Sequence, residues 1–91
     1  MANVDSTYRV GTTLTLNTVT AAAAEAVAAL SGSMTTFDFA GVREVDSSAL
    51  AFILVCQREA LRLNKTLQCM NVPDNLKNLA ALYGVATYLP F

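Results

Sequence analysis

Residues 37–54, FDFAGVREVDSSALAFIL, leave this chain few ways to fold. A short apolar strand carrying Phe37 and Phe39 runs into a glycine turn and then a second acidic–apolar step at Glu44 and Val45. Asp46-Ser47-Ser48 then opens a strongly apolar helix. The junction puts two hydroxyls at a helix N-terminus, directly after an acid. Unpaired backbone N–H groups and the positive end of the helix dipole favour oxygen-rich or anionic groups there. A phosphate on one of these serines would be stabilised by that end and would add about −1.5 to −2 charges. Unmodified, the same small, uncharged tip can press flat against a partner.

The rest of the chain supplies similar short elements. Thr7–Val10 and Thr13–Leu16 read as strands joined at Gly11-Thr12, the second alternating Leu14/Leu16 against Thr13/Thr15. Thr18 or Thr20 can cap an alanine-rich helix over Ala21–Leu30, which ends at Ser31-Gly32. Its small side chains allow a close approach to a sheet. Thr35–Phe39 is the next strand, Ala40–Val45 a loop, and Ser47 or Ser48 to Leu63 the longest helix, stopped at Asn64-Lys65. Thr66–Met70 is a strand with Leu67 and Cys69 on one face. Pro73 fits the first turn of a short helix, with Asn71 to Asp74 as capping residues and Leu76, Leu79, Ala80 and Tyr83 at helical spacing. Gly84 closes that helix, and Val85–Leu89 reads as a last strand. The order β-β-α-β-α-β-α-β implies an α/β fold. Crossovers make the sheet largely parallel after an initial hairpin, with helices packed on it. No repeat, linker or composition break divides residues 1–91, so one small domain is expected.

Charge narrows the function. Only 14% of the 91 residues are charged and 54% are hydrophobic, with no His and no Trp, against about 25% charged in average chains. A coat this sparse suits a protein part of whose surface belongs to a partner. The net charge is −1, which gives little colloidal protection and also suits life in a complex. Arg58, Arg62 and Lys65 are spaced rather than clustered, so nucleic-acid binding by phosphate neutralisation is not expected. The polar start MANVDSTYRV lacks the pattern of a secretory signal. The apolar runs Ala21–Leu30 and Ala49–Cys56 fall short of the ~18–20 residues of a membrane span. Cys56 and Cys69 sit in core-like patterns and read as buried, reduced thiols. No metal set, glycine-rich phosphate loop or nucleophile–base pair is present. Neither catalysis nor a cofactor is therefore expected, and a cytoplasmic setting follows.

On a wheel at ~100° per residue, Leu50, Ile53, Cys56, Ala60, Leu61 and Leu63 of the long helix form a broad arc toward the sheet. The opposite side carries Ser48, Glu59 and a stripe of Ser47, Ala51, Leu54, Val55, Arg58 and Arg62. The stripe is apolar near the serines and basic further along. Two readings stand for it. Isolated exposed apolar residues are ordinary, but an apolar centre with Arg at its rim is also how protein-docking faces are built. Two readings likewise stand for Asp46-Ser47-Ser48. Asp and Ser are preferred helix caps, and the serines can instead serve a partner.

The run V-D-S-S-A-L, after F-D-F-A-G-V and before an apolar helix, resembles the signature of STAS domains, the sulfate-transporter and anti-sigma-factor-antagonist modules. Asp38, Val42, Asp46, Ser47, Ser48 and Leu50 match, with Ala49 in place of the usual glycine. The element order over residues 7–89 matches as well. The carboxyl-terminal pattern of Leu76, Leu79, Ala80, Leu82, Tyr83 and Val85, with its Leu89-Pro90 stop, looks most like the short STAS subunits of Mla-type phospholipid ABC transporters. Many anti-sigma antagonists continue into a further helix. The resemblance implies a mixed, mostly parallel sheet and a non-enzymatic role. It implies a cytoplasmic subunit, peripheral to the inner membrane, that binds the transporter's ATPase subunit. Such a subunit supports the ATPase's assembly or activity in keeping the outer membrane lipid-asymmetric. The alternative it implies is an anti-sigma factor antagonist, in which a partner kinase phosphorylates the hydroxyl residue after the motif Asp. Both roles map onto Ser47, with Ser48, Ala51, Leu54, Val55, Arg58 and Arg62 around it and Asp46 as motif support.

Overall fold

The computed structural model describes residues 7–91; the first six residues of the polar amino-terminal stretch lie outside them. The elements run β1 (Thr7–Arg9), β2 (Thr13–Leu14), α1 (Val19–Ser31), β3 (Thr36–Asp38), β4 (Glu44–Val45), α2 (Ser48–Arg62), β5 (Gln68–Met70), α3 (Asp74–Leu82) and a 3-10 turn at Ala86–Tyr88. The α/β class and the helix order follow the sequence reading. The pairing departs from it in one respect. The first two strands form no hairpin: β1 pairs in parallel with β3 and β2 in parallel with β4. A two-residue hairpin loop needs left-handed backbone at its centre, and among the described glycines only Gly84 has positive φ. The chain therefore continues forward through Gly11-Thr12 instead of reversing.

The result is two broken courses lying side by side. β1–β2 and β3–β4 are each interrupted, at 10–12 and 39–43, and stay in register across the breaks. Val10 N–H donates to the Asp38 carbonyl at 3.0 Å, and Arg43 N–H to the Thr12 carbonyl at 2.8 Å. Within the expected 40–45 loop, Glu44–Val45 is thus a strand of two residues, too short for any periodicity to reveal. β5 completes the larger sheet in the order β1-β3-β5, with Phe37 opposite both Tyr8 and Cys69.

Both long crossover helices pack together over this sheet. α1 buries Ala26 and Leu30 completely, and its alanines let it lie close against α2. α2 buries Ala49, Leu50, Phe52, Ile53, Cys56 and Ala60. The buried arc is shifted toward Phe52 by the neighbouring α1. Leu61, expected in that arc, is 69% exposed instead. The centre of the core is aromatic: Phe37 lies 5.1 Å from Tyr8 and 6.3 Å from Phe52, ring centre to ring centre.

The helix ends show where local chemistry won. α2 stops at Asn64, which takes φ 60°. Asn64 N–H returns to the Leu61 carbonyl and Lys65 N–H to the Ala60 carbonyl, the paired bonds of a Schellman cap. Lys65 Nζ then donates to the carbonyls of Leu30 and Gly32, placing a cation on the negative end of α1. α3 ends the same way at Gly84, φ 72°, with Val85 N–H on the Ala80 carbonyl. Thr18 does not cap α1. Its hydroxyl accepts from Thr15 N–H at 3.0 Å and donates to the Thr13 carbonyl at 3.1 Å, bracing the turn before the helix. Asn71 does not cap α3 either, because its amide donates to Asp38 Oδ1 at 3.0 Å.

The expected last strand is absent, and residues 86–88 form the 3-10 turn. Val85 is half-buried and Leu89 buried, with exposed residues between. A spacing of four inward residues is a turn's signature, not a strand's.

Cys56 is fully buried and Cys69 partly so. Burial pushes both thiols up to about 12, with Cys69 adding to the effect on Cys56. At pH 8 only about one thiol in ten thousand would then be ionised, and the thiolate is the reactive form. Ellman's reagent is therefore expected to label the native protein only as fast as it opens. Rapid labelling of both thiols without denaturant would contradict this packing.

Candidate partner-binding site

The amino-terminal tip of α2 is built by Asp46. Ser47 already has helical torsions, φ −61° and ψ −19°, so Asp46 is the capping residue in physical terms. Its Oδ1 accepts from Ser48 N–H at 2.8 Å, and its Oδ2 accepts from Leu16 N–H at 3.0 Å. The Asp46 N–H in turn donates to the Leu14 carbonyl at 3.2 Å. One carboxylate therefore both satisfies the helix start and ties it to the β2–α1 turn. Capping and partner service do not compete at this tip, because the acid does the capping. The Ser47 hydroxyl makes no capping bond and lies exposed, while Ser48 is half-buried.

These bonds hold the Asp46 carboxyl below the usual carboxylate range, chiefly through Leu16 N–H and then Ser48 N–H. The same holds for Asp38, through the Asn71 amide first and the Ala40 N–H second. A lowered native pKa stabilises the fold above the unfolded value, ~3.9, and the contribution fades as pH falls through the native pKa. Asp46→Asn is expected to flatten the loss of thermal stability between about pH 4 and pH 2. It should leave the Tm at pH 7 closer to wild type than Asp46→Ala does, since the amide oxygen can still accept one bond. An unchanged acid limb would remove Asp46 from this role.

Along the helix, the structure places the whole expected stripe on the surface. Ser47, Ala51, Arg58 and Arg62 are exposed, and so are Leu54 at 40% and Val55 at 44%. Among the described residues Arg58 forms no ion pair. Arg62 is held by Glu59, its Nε donating to Oε1 at 3.0 Å. That pair keeps the Glu59 carboxyl lowered and the Arg62 guanidinium raised. Ala49, where the signature has glycine, is fully buried and packs in the core.

Two parts of this surface were not legible in the sequence. Leu16, expected on the buried side of a strand, is 75% exposed on the turn that Asp46 holds. It extends the apolar surface past the serine tip. Beside the stripe lies an apolar groove of about 300 Å³ between the two long helices, lined by Val19, Thr20 and Ala23 of α1 and Ala51, Phe52 and Val55 of α2. Nothing in the local pattern of α1 marks Val19 and Ala23 as groove residues, since their role depends on how α1 sits against α2.

No helix among the described residues is long and apolar enough to cross a membrane. A geometry of parallel crossovers, an acid-capped α2 and an exposed serine can be compared with known proteins. The solved structure of the anti-sigma factor antagonist SpoIIAA in its unphosphorylated form is similar, with a TM-score of 0.68. The match covers 90% of this chain and 74% of that one at 20% identity, a likeness of fold alone. No curated protein matches the chain. The family model described as "Mlab, STAS domain" matches residues 2–90. With nearly every residue spanned by that model, and with the strand–turn–serine-tipped helix in place, the chain belongs to the STAS domain family.

Proposed function

We propose that this STAS domain is a non-catalytic binding subunit that docks, through the exposed face of α2 led by Ser47, onto the ATPase subunit of an Mla-type phospholipid ABC transporter. In this reading it supports that ATPase's assembly or activity in maintaining outer-membrane lipid asymmetry. It sits in the cytoplasm and reaches the inner membrane only through the complex. The observation that carries the reading is the surface of α2. Ser47, Ala51, Leu54 and Val55 form an uncharged strip in the open, on a helix whose other side is fully packed. Asp46 shapes the tip and Ser48 flanks it, while Arg58 and Arg62 form the rim. Docking would remove apolar area from water at ~25 cal/mol per Å², less the costs of association.

Tagged protein purified from its native host should bring down an ABC ATPase and its permease, identified by mass spectrometry. Ser47→Asp should lose them, because it sets a charge in a contact that excludes water. A correctly folded Ser47→Asp that retains the full complement of ATPase would refute the docking face.

A second reading has its own observation. The Ser47 hydroxyl is free of capping duty and stands at the positive end of α2, where a phosphate is favoured. An antagonist-type switch would carry stoichiometric phosphate on Ser47, visible in the intact mass with and without phosphatase. An unmodified mass under all growth conditions leaves the transporter reading alone.

A further inference from the structure

We infer that the segment this protein receives is an apolar anchor followed by a carboxylate, laid along the α1–α2 groove with its acidic end over Arg58. The inference rests on the docking reading above and gives the partner its chemistry. The groove between Val19, Ala23, Ala51 and Val55 is apolar, and it closes on Phe52, which is 1% exposed. At about 300 Å³ it has room for one large aliphatic or aromatic side chain. Toward the carboxyl end of α2 the same face turns basic. Arg58 has no ion-pair partner among the described residues, and Arg62 is bound only to Glu59 of its own helix. No acid lies on the stripe itself, so the surface presents one apolar slot and one uncompensated cation.

Ala51 and Arg58 are seven residues apart, about 10 Å along the helix axis at 1.5 Å per residue. A partner helix running alongside would present an apolar residue and, about two turns away, an Asp or Glu. A partner with a basic residue there would meet like charge across a desolvated rim, which costs several kcal/mol in interfaces. The surface therefore selects polarity and direction as well as hydrophobicity.

Purified protein and the co-purified ATPase subunit supply the test, by surface plasmon resonance at about 50 and 500 mM NaCl. Wild-type affinity should fall about tenfold across that range, since exposed charge pairs are screened. The double variant Arg58→Gln with Arg62→Gln should show less than about threefold change. Ala23→Leu, which fills the groove from the exposed side of α1, should weaken binding at least about tenfold at both salts. As a direct check on the acidic end, Arg58→Lys treated with a carbodiimide should form an amide to an Asp or Glu of the ATPase, located by peptide mapping. Circular dichroism shows whether each variant is folded. If the ATPase binds, Ser47→Asp breaks it and yet Ala23→Leu binds normally with an unchanged salt slope, the groove and its acidic ligand are overturned while the docking face stands. If the ATPase does not bind at all, both are overturned.

Discussion

Phe37→Ala is expected to leave this protein largely unfolded at modest temperature. Phe37 is fully buried on β3, the central strand of the larger sheet, and stacks between Tyr8 and Phe52. Truncating a buried Phe removes about 3–5 kcal/mol through lost transfer energy and the cavity left behind. Domains hold only ~5–15 kcal/mol, and a chain of this size buries a smaller share of its surface than larger ones do. The melting temperature should therefore drop by about 15–30 °C, at about 4–8 °C per kcal/mol. Phe91→Ala, at a side chain 40% exposed, should change the Tm by only a few degrees. Equal effects at the two positions would mean that the core is not centred on β3.

That centre was visible in the sequence, because Phe37 and Phe39 alternate with Asp38 on a strand feeding a helix. The crossovers were legible for the same reason. A switch from strand alternation to helical spacing at Ser47 allows little else, and glycine or asparagine stops at Asn64 and Gly84 mark helix ends through the left-handed backbone they adopt. Pairing was not legible. The link at Gly11-Thr12 is short enough for a hairpin, but whether it reverses depends on a torsion that composition does not reveal. The tail was misread because Val85 and Leu89 are apolar at a spacing that fits a strand's face and a turn equally well. At the candidate site, the serine tip and the stripe could be read from one helix alone. Leu16 and the groove could not, because they arise where the β2–α1 turn and α1 meet α2, distances set by packing. Asp46 joins the two cases. The sequence marked it as a possible cap, and only the folded chain shows it holding Leu16 as well.

Val55→Asp should abolish partner capture while leaving the fold intact, and it is the sharper of the two stripe variants. Val55 is 44% exposed, so its replacement removes little from the core, and the Tm should stay within about 2 °C of wild type. In a docked complex the same carboxylate would lie against an apolar surface without a counter-charge, the kind of unpaired burial that proteins avoid. Central interface positions cost ~2–4 kcal/mol when disrupted, so affinity should fall at least about thirtyfold. Thr66→Asp serves as the control. It adds the same charge at an exposed site before β5, at the opposite end of the strands from the α2 tip. If charge alone weakened binding by lowering the protein's overall potential, both variants would lose affinity and high salt would rescue both. A contact at α2 predicts instead that Thr66→Asp binds normally, and that the Val55→Asp defect persists at about 500 mM NaCl. Full binding by a folded Val55→Asp would place the partner somewhere other than this helix.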